Sequence, residues 1–338
     1  MGKHESKEYS HFSNDVLWEI LSFLEKDYKF QIFSFGLVSK QWYAFIKERL
    51  KFSVTCGNDK KLKGDFLQNI TSCKVMRKSE KVKLRIEKLK NLTYLDISEN
   101  YIFDKLVNWG KSFGKLDKLT HLNISKNRIE RKGIKYLTRM KQLRILDISC
   151  NNIDYCGLFL ICNMNQLTNL NISRNFIKEK SIYLVDLNQL TTLIVRQNDI
   201  TQVSFLSNFT KLTNLDVSQN LIGNEGIKFV GEMKHLTCLR ACSTGFDEEG
   251  AKCIGQLSQL TCLDVSHNSI KNQGVEFISQ LSYLTDLTVI HCHIDLEGVE
   301  FITKMNQLTR LDISLNLFGT PKKIATELLS ANKEYFNI

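Results

Sequence analysis

The chain has 338 residues, 43% of them hydrophobic, and a formal net charge of +10, a composition that suits one extended domain or two to three compact ones. It holds no apolar run of the roughly 18 residues that a membrane-spanning helix needs, and Met1 to Phe12 lack the apolar stretch of a secretory signal. The protein is therefore expected inside the cell, in the cytoplasm or the nucleus, where ten cysteines without a CxxC pair read as thiols and not as a disulfide framework.

Residues 1–11 read as a flexible N-terminus. The opening MGKHES fits M-G-x-x-x-[ST] and resembles an N-myristoylation signal that would acylate Gly2. One acyl chain anchors only marginally, and Lys3, Lys7 and the basic segment beyond residue 50 would have to supply a second membrane signal. The plain alternative is an ordinary disordered start.

Residues 12–50 read as a small helical module. In FSNDVLWEILSFLEK, Ser13 or Asn14 is placed to cap a helix, Asp15 lies near its first turn, and Val16, Leu17, Ile20, Leu21 and Leu24 share one apolar face. In GLVSKQWYAFIKERL, Leu37, Val38, Trp42, Phe45 and Ile46 repeat the spacing. Helices this short enclose no large core of their own, so their apolar faces must pack on a neighbour or a partner. The segment resembles an F-box, a family that opens with Leu-Pro-x-Glu, continues through an apolar helix and reaches Leu-x-x-Val-Cys-Lys-x-Trp. Phe12 and Ser13 stand for the Leu-Pro, Asp15 for the Glu and Ser39 for the Cys, while Lys40 and Trp42 match. The resemblance implies that Phe12, Val16, Leu17, Ile20, Leu21, Leu24, Leu37, Val38 and Trp42 contact a Skp-type adaptor. Read without the resemblance, the module is a helical cap at the N-terminal end of a solenoid.

The charge excess is local. Residues 51–90 carry twelve Lys/Arg against four Asp/Glu, whereas residues 1–50 balance at seven and seven. With no interleaved aromatics and no nucleic-acid motif, residues 51–91 read as a solvated linker with a degenerate repeat and cap, and no nucleic-acid partner is expected.

Residues 92–316 are periodic. LTYLDISEN and its variants occur ten times, closing at Asn100, Asn127, Asn151, Asn175, Asn198, Asn220, Thr244, Asn268, Cys292 and Asn316, at spacings of 27, 24, 24, 23, 22 and then 24 four times. The second Leu and the Ile or Val two residues later, as Leu95 and Ile97, share one face of a short strand and are expected to be buried. The closing Asn is expected to turn inward and bind backbone groups of the bend, with Thr244 and Cys292 as partial substitutes. Between strands, Ile270, Val275, Ile278 and Leu281 have helical spacing, and Gly133, Gly157, Gly226, Gly250, Gly274 and Gly298 are expected in a turn before each helix, through close approach or positive φ. The shortest repeats, with DITQVSFLSNFTK, are expected to have the least regular convex segment. The pattern resembles the leucine-rich repeat, L-x-x-L-x-L-x-x-N/C-x-L. The resemblance implies an α/β solenoid, a horseshoe with a parallel concave sheet and short convex helices, in which stacking buries a face that no single unit covers. Residues 317–338 read as a C-terminal cap, with Ile324, Leu328 and Leu329 on one helical face behind Pro321.

Six cysteines are placed at or near strands: Cys150, Cys238, Cys242, Cys253, Cys262 and Cys292. The His291-Cys292-His293 run invites a metal-site reading, but alternate strand residues face opposite ways and Cys292 occupies a structural position, so neither metal nor cofactor is expected. There is no GxSxG, HExxH, P-loop or GxGxxG, and no catalytic residue is expected. F-box and repeats together resemble the substrate receptors of cullin-RING ubiquitin ligases, which implies a Skp-type adaptor and cullin as partners and a target protein held by the repeats. The position between the two buried strand residues runs Asp96, Asn123, Asp147, Asn171, Ile194, Asp216, Arg240, Asp264, Thr288, Asp312, an Asp/Asn consensus that reads as scaffold. It breaks at Ile194 and Arg196, at Arg240 and Cys242, and at Thr288, Ile290 and His291, which are the candidate target contacts, centred on Arg240. The alternative functions are a repeat scaffold independent of ubiquitin, tethered through Gly2; a GTPase regulator of the Ran-activating type; and a microbial effector that borrows a host ligase.

Overall fold

The leucine at the centre of each x-Leu-x triplet decides the architecture. The computed structural model describes residues 52–56, 68, 70–75, 86–100, 113–177, 187–317 and 336–337. Ten triplets form strands β3 (Tyr94–Asp96), β4 (His121–Asn123), β5 (Ile145–Asp147), β6 (Asn169–Asn171), β7 (Thr192–Ile194), β8 (Asn214–Asp216), β9 (Cys238–Arg240), β10 (Cys262–Asp264), β11 (Asp286–Thr288) and β12 (Arg310–Asp312). Each pairs in parallel with its sequence neighbours, leucine opposite leucine, so the predicted horseshoe sheet is present. Leu95, Ile97 and their counterparts through Leu311 and Ile313 are buried. Alternate residues of a strand share one face, so the outer two of each triplet line the concave surface.

The sheet also extends past the periodic region. β1 (Phe52–Cys56) and β2 (Ile70–Val75) join β3 in order, and β13 (Phe336–Asn337) adds to β12 within the expected cap. None of these three carries the full leucine pattern. The positions expected to form the helix of that cap, those expected to contact an adaptor from Phe12 to Trp42, and Gly2 lie outside the described residues.

Two ladders of side chains hold successive units together. The Thr of each Leu-Thr pair donates its hydroxyl to a carbonyl one unit earlier: Thr237 to Thr213, Thr261 to Thr237 and Thr285 to Thr261, each at 3.1 Å. The closing Asn forms the second ladder. Asn151 Nδ2 donates to the Ile124 and Ile148 carbonyls (3.1 and 2.9 Å), and its Oδ1 accepts from Asn127 and Ile129 N–H (3.0 and 2.8 Å). One amide thus satisfies backbone groups of two units in a bend where the strand ladder has ended. The residue before each closing position, from Glu99 to Leu315, has positive φ, which turns the chain into that bend. Thr244 keeps one carbonyl bond, to Ala241 at 2.9 Å, and Cys292 substitutes sulfur contacts to the Val265 and Ile290 carbonyls at 3.4 and 3.5 Å.

On the convex side the described helices are α1 (Arg131–Leu137), α2 (Tyr155–Cys162), α3 (Gly223–Gly231), α4 (Glu248–Ile254), α5 (Lys271–Ser279) and α6 (Leu296–Thr303). Val275 and Ile278 are buried on α5, with Ile270 just before it and Leu281 just after. The recurrent glycines differ from the expectation. They sit inside the first turns of the helices, and none of them has positive φ. Close approach is the whole reason: a Cβ on Gly226 would lie 2.5 Å from Ile222 Cβ, and one on Gly274 would lie 2.7 Å from Ile270 Cβ. The apolar residue four positions earlier plugs the unit beneath the helix, and only glycine lets the helix settle on it. Asp154, Asp247 and Asp295 cap α2, α4 and α6, accepting from Gly157, Glu249 and Glu297 N–H. α3 and α5 lack a side-chain cap and instead present Asn224 and Asn272, whose amides clasp Asp247 and Asp295 of the next unit (Nδ2 to Oδ1 2.8 Å each). The short unit between Asn198 and Asn220 has a 3-10 helix, Ser204–Asn208, where others have an α-helix, in keeping with its length. Beside it lies an open groove of about 310 Å³ that includes Val203, Gly226 and Phe229.

Candidate functional site

The concave face carries both the scaffold and its exceptions. In the consensus units the Asp or Asn at the third strand position folds back on the Ser two residues later. Asp96 Oδ1 accepts from Ser98 N–H and Oγ–H at 3.0 and 2.7 Å, and Asp147, Asp264 and Asp312 do the same with Ser149, Ser266 and Ser314. These carboxylates therefore close the turn after each strand, which is why the acidic series is scaffold.

Two of the breaks change partners. Where Arg240 replaces the acidic residue, Cys242 N–H donates to Ser218 Oγ of the preceding unit at 3.2 Å, and where Thr288 replaces it, Ile290 N–H donates to Ser266 Oγ at 3.2 Å. The neighbouring Ser takes over the acceptor's duty, so the side chains at these breaks are released from closing their own turn. Register places Ile194, Asp216, Arg240, Asp264 and Thr288 in one unbroken row across β7 to β11, with Arg240 central. Ile194, Thr288, Cys242 and Ile290 are half-buried, and Arg240 is exposed. Arg196, also half-buried, donates through Nε to Gln219 at 3.2 Å. Burial opposes the Arg240 charge, but Cys238, Cys262, Asp216 and Asp264 outweigh it and hold the guanidinium pKa above its ordinary value.

His291 stands apart from that row. It, Cys292 and His293 lie beyond β11 in the bend and are not strand residues, and His291 and His293 both have positive φ. The exposed His291 ring lies between those of His267 and His293, with centroids 5.5 and 5.4 Å away. Cys292 is buried and its thiol is pushed up to about 12, chiefly by that burial. Among the described residues no group of three His, Cys, Asp or Glu is placed to hold a metal ion, and no helix is long and apolar enough to cross a membrane. Cys253 corrects the cysteine reading: it lies in α4 on the convex side, because its unit places it in the helical segment and not in the triplet. Cys73, which the sequence does not single out because β2 lacks the full pattern, is a buried strand residue opposite Leu95. Equally absent from the sequence reading are three aromatics, Tyr155 and Phe159 on α2 and Phe176 after the closing Asn175, each at least 60% exposed. The signal was available: α2 is apolar on both faces.

Parallel triplets, closing-Asn ladder and convex helices define a leucine-rich-repeat solenoid. A family model described as a leucine-rich repeat region matches residues 141–331, a leucine-rich repeat model matches 116–137, and an F-box domain model matches 10–54. The chain thus belongs to the leucine-rich-repeat family and is an F-box leucine-rich-repeat protein. Among solved structures, it is similar to an internalin (inlF) from Listeria monocytogenes, at 20% identity and a TM-score of 0.61, covering 87% of this chain and 88% of that one, a likeness of fold. An internalin C2 (inlC2) of the same organism is 21% identical, with a TM-score of 0.49 over 59% of this chain and 82% of that one. No curated protein matches.

Proposed function

We propose that the protein is a non-catalytic substrate receptor of an SCF-type ubiquitin ligase inside the cell. Its F-box would dock a Skp-type adaptor through the apolar positions Phe12, Val16, Leu17, Ile20, Leu21, Leu24, Leu37, Val38 and Trp42, and its concave sheet would hold a target protein. The observation that carries this reading is the F-box match over 10–54 running directly into the first strand of the solenoid at Phe52. Such a receptor works by position: holding a target lysine near the ubiquitin thioester raises its effective concentration, and the receptor itself needs no nucleophile or general base. The candidate target contacts are Ile194, Arg196, Arg240, Cys242, Thr288 and Ile290, with His291 at the rim; of these, Arg240 and Thr288 are released from closing their own turn. An exposed Arg flanked by Asp216 and Asp264, in a row that also carries Ile194, is the kind of side chain that anchors a binding hot spot.

The test is co-purification of the full chain with a Skp-type adaptor, comparing the wild type with the double variant Leu17→Asp, Ile20→Asp. Capture that the double variant loses supports the receptor. A folded wild type that captures no adaptor overturns it and leaves a repeat scaffold, with mass spectrometry of Gly2 as the next measurement.

A further inference from the structure

The thiols of the concave face do not share one environment. Cys238 opens β9 and Cys262 opens β10, and the two are register partners on adjacent parallel strands. Leu239 and Leu263 are buried behind them, so both thiols project from the concave surface, half-buried. Adjacent strands lie about 4.8 Å apart, within the Cα separations that disulfides span. Arg240 Nη1 lies 3.5 Å from the Cys238 sulfur as a charged donor, and the Cys262 thiol is the register neighbour of that sulfur. We propose that Cys238 and Cys262 form an oxidation site for hydrogen peroxide, with Cys238 as the thiolate that attacks and Cys262 as the thiol that resolves it.

The groups around Cys238 support this assignment of roles. The neighbouring Cys262 thiol and the Arg240 charge favour its thiolate, against partial burial and the carboxylates of Asp286 and Asp216, and the balance lowers its pKa below that of an ordinary thiol. Cys262 is held well above the ordinary thiol range. Cys242, on the same face beyond the end of β9, is pushed up by burial. A thiol whose ionisation is favoured beside a charged donor, next to a partner that keeps its proton, is the arrangement a resolving pair requires.

In the first step the Cys238 thiolate attacks one peroxide oxygen, the O–O bond breaks, hydroxide leaves, and Cys238 becomes a sulfenic acid. The Cys262 sulfur then attacks the Cys238 sulfur, the S–O bond breaks, and the departing oxygen leaves as water with the Cys262 proton. Two electrons pass from the thiol pair to peroxide, and one disulfide forms across β9 and β10. Oxidation removes the sulfur anion to which Arg240 donates. If the concave face holds targets as proposed above, the change falls at the centre of that face; the oxidation itself does not depend on that reading and is tested without a target.

The experiment uses the full reduced chain. Limiting iodoacetamide at pH 7 with peptide mass spectrometry measures each thiol's alkylation rate. The thiolate is favoured at Cys238 and disfavoured at Cys242, so Cys238 is expected to react severalfold faster than Cys242. Hydrogen peroxide then joins Cys238 to Cys262 in the wild type. Cys262→Ser halts at a Cys238 sulfenic acid that dimedone traps, and Cys238→Ser leaves Cys262 reduced. Alkylation of Cys238 no faster than that of Cys242, or a wild-type pair still reduced after peroxide has oxidised other thiols of the chain, overturns the proposal.

Discussion

Truncating one closing asparagine in mid-array tests whether these amides or the buried leucines join the units. Asn220 is 2% exposed and reaches two units: Nδ2 donates to the Val195 and Val217 carbonyls at 3.0 and 2.8 Å, and Oδ1 accepts from Asn198 and Ile200 N–H at 3.0 and 3.1 Å. Asn220→Ala removes these four hydrogen bonds at once, together with a longer, shared contact from Nδ2 to the Ser218 carbonyl at 3.2 Å. At about 1 kcal/mol net for each, with orphaned buried N–H groups adding to the cost and the second lone pair of each carbonyl reducing it, the loss is about 4 kcal/mol. That is a large share of a domain's usual 5–15 kcal/mol, roughly. The loss falls between neighbouring units, where a one-dimensional array holds its cooperativity. Urea unfolding followed by far-ultraviolet circular dichroism gives the magnitude, and amide exchange gives the place: Asn198 and Ile200 N–H, bonded to this amide, should lose protection first. His235→Ala, at an exposed position, should stay within about 0.5 kcal/mol of wild type. A loss below about 1 kcal/mol for Asn220→Ala, with exchange at Asn198 and Ile200 unchanged, would refute the ladder as a source of stability and leave the leucine core as the join between units.

Two further perturbations separate packing from titration. Gly274→Ala raises helix propensity by about 1 kcal/mol but drives a Cβ to 2.7 Å from Ile270 Cβ, an overpacking worth about 1–3 kcal/mol; a lower melting temperature is expected, and a higher one would show that the helix start is not confined. Cys292 is held at about 12 in the folded chain against 9.0 for an ordinary thiol, so above pH 9 the unfolded chain loses this proton and the folded chain does not. Stability from this group is intact below pH 9 and falls by about 1.4 kcal/mol per pH unit between 9 and 12. Cys292→Asn should abolish that component of alkaline destabilisation; an unchanged difference between pH 8 and pH 10.5 would contradict the burial of the thiol.

Much of the architecture was legible because the repeat turns sequence distance into spatial contact. Once the closing residues align, a residue in one triplet has as its neighbour the matching residue about 24 positions away, which is how Cys238 meets Cys262 and Leu239 meets Leu263. The buried pairs, the inward Asn and the irregular segment at Ser204–Asn208 follow from that alignment and from side-chain chemistry. β13 does not, since Phe336 and Asn337 carry no triplet pattern and pair only because β12 offers an open edge. The glycines escape the sequence for a different reason. A repeated Gly after three variable residues fits both a positive-φ turn and a close approach, and only the position of Ile222 beneath Gly226 or Ile270 beneath Gly274 distinguishes them.

The candidate site shows the same division between what periodicity reveals and what it hides. A break in a consensus is visible as composition, and Arg240 among acidic neighbours is conspicuous in the sequence alone. What the break does to the backbone depends on the adjacent unit. Ser218 and Ser266 are consensus residues of their own repeats, yet through Oγ they also accept the N–H groups of Cys242 and Ile290. The clasps from Asn224 to Asp247 and from Asn272 to Asp295 act alike on the convex side, where α3 and α5 each hold the capping Asp of the helix that follows. In both cases a unit's freedom to vary is set by its neighbour's side chains. A substitution at Ser218, whose Oγ accepts from Cys242 N–H while only its backbone N–H bonds Asp216, should therefore disturb the Arg240 unit more than its own.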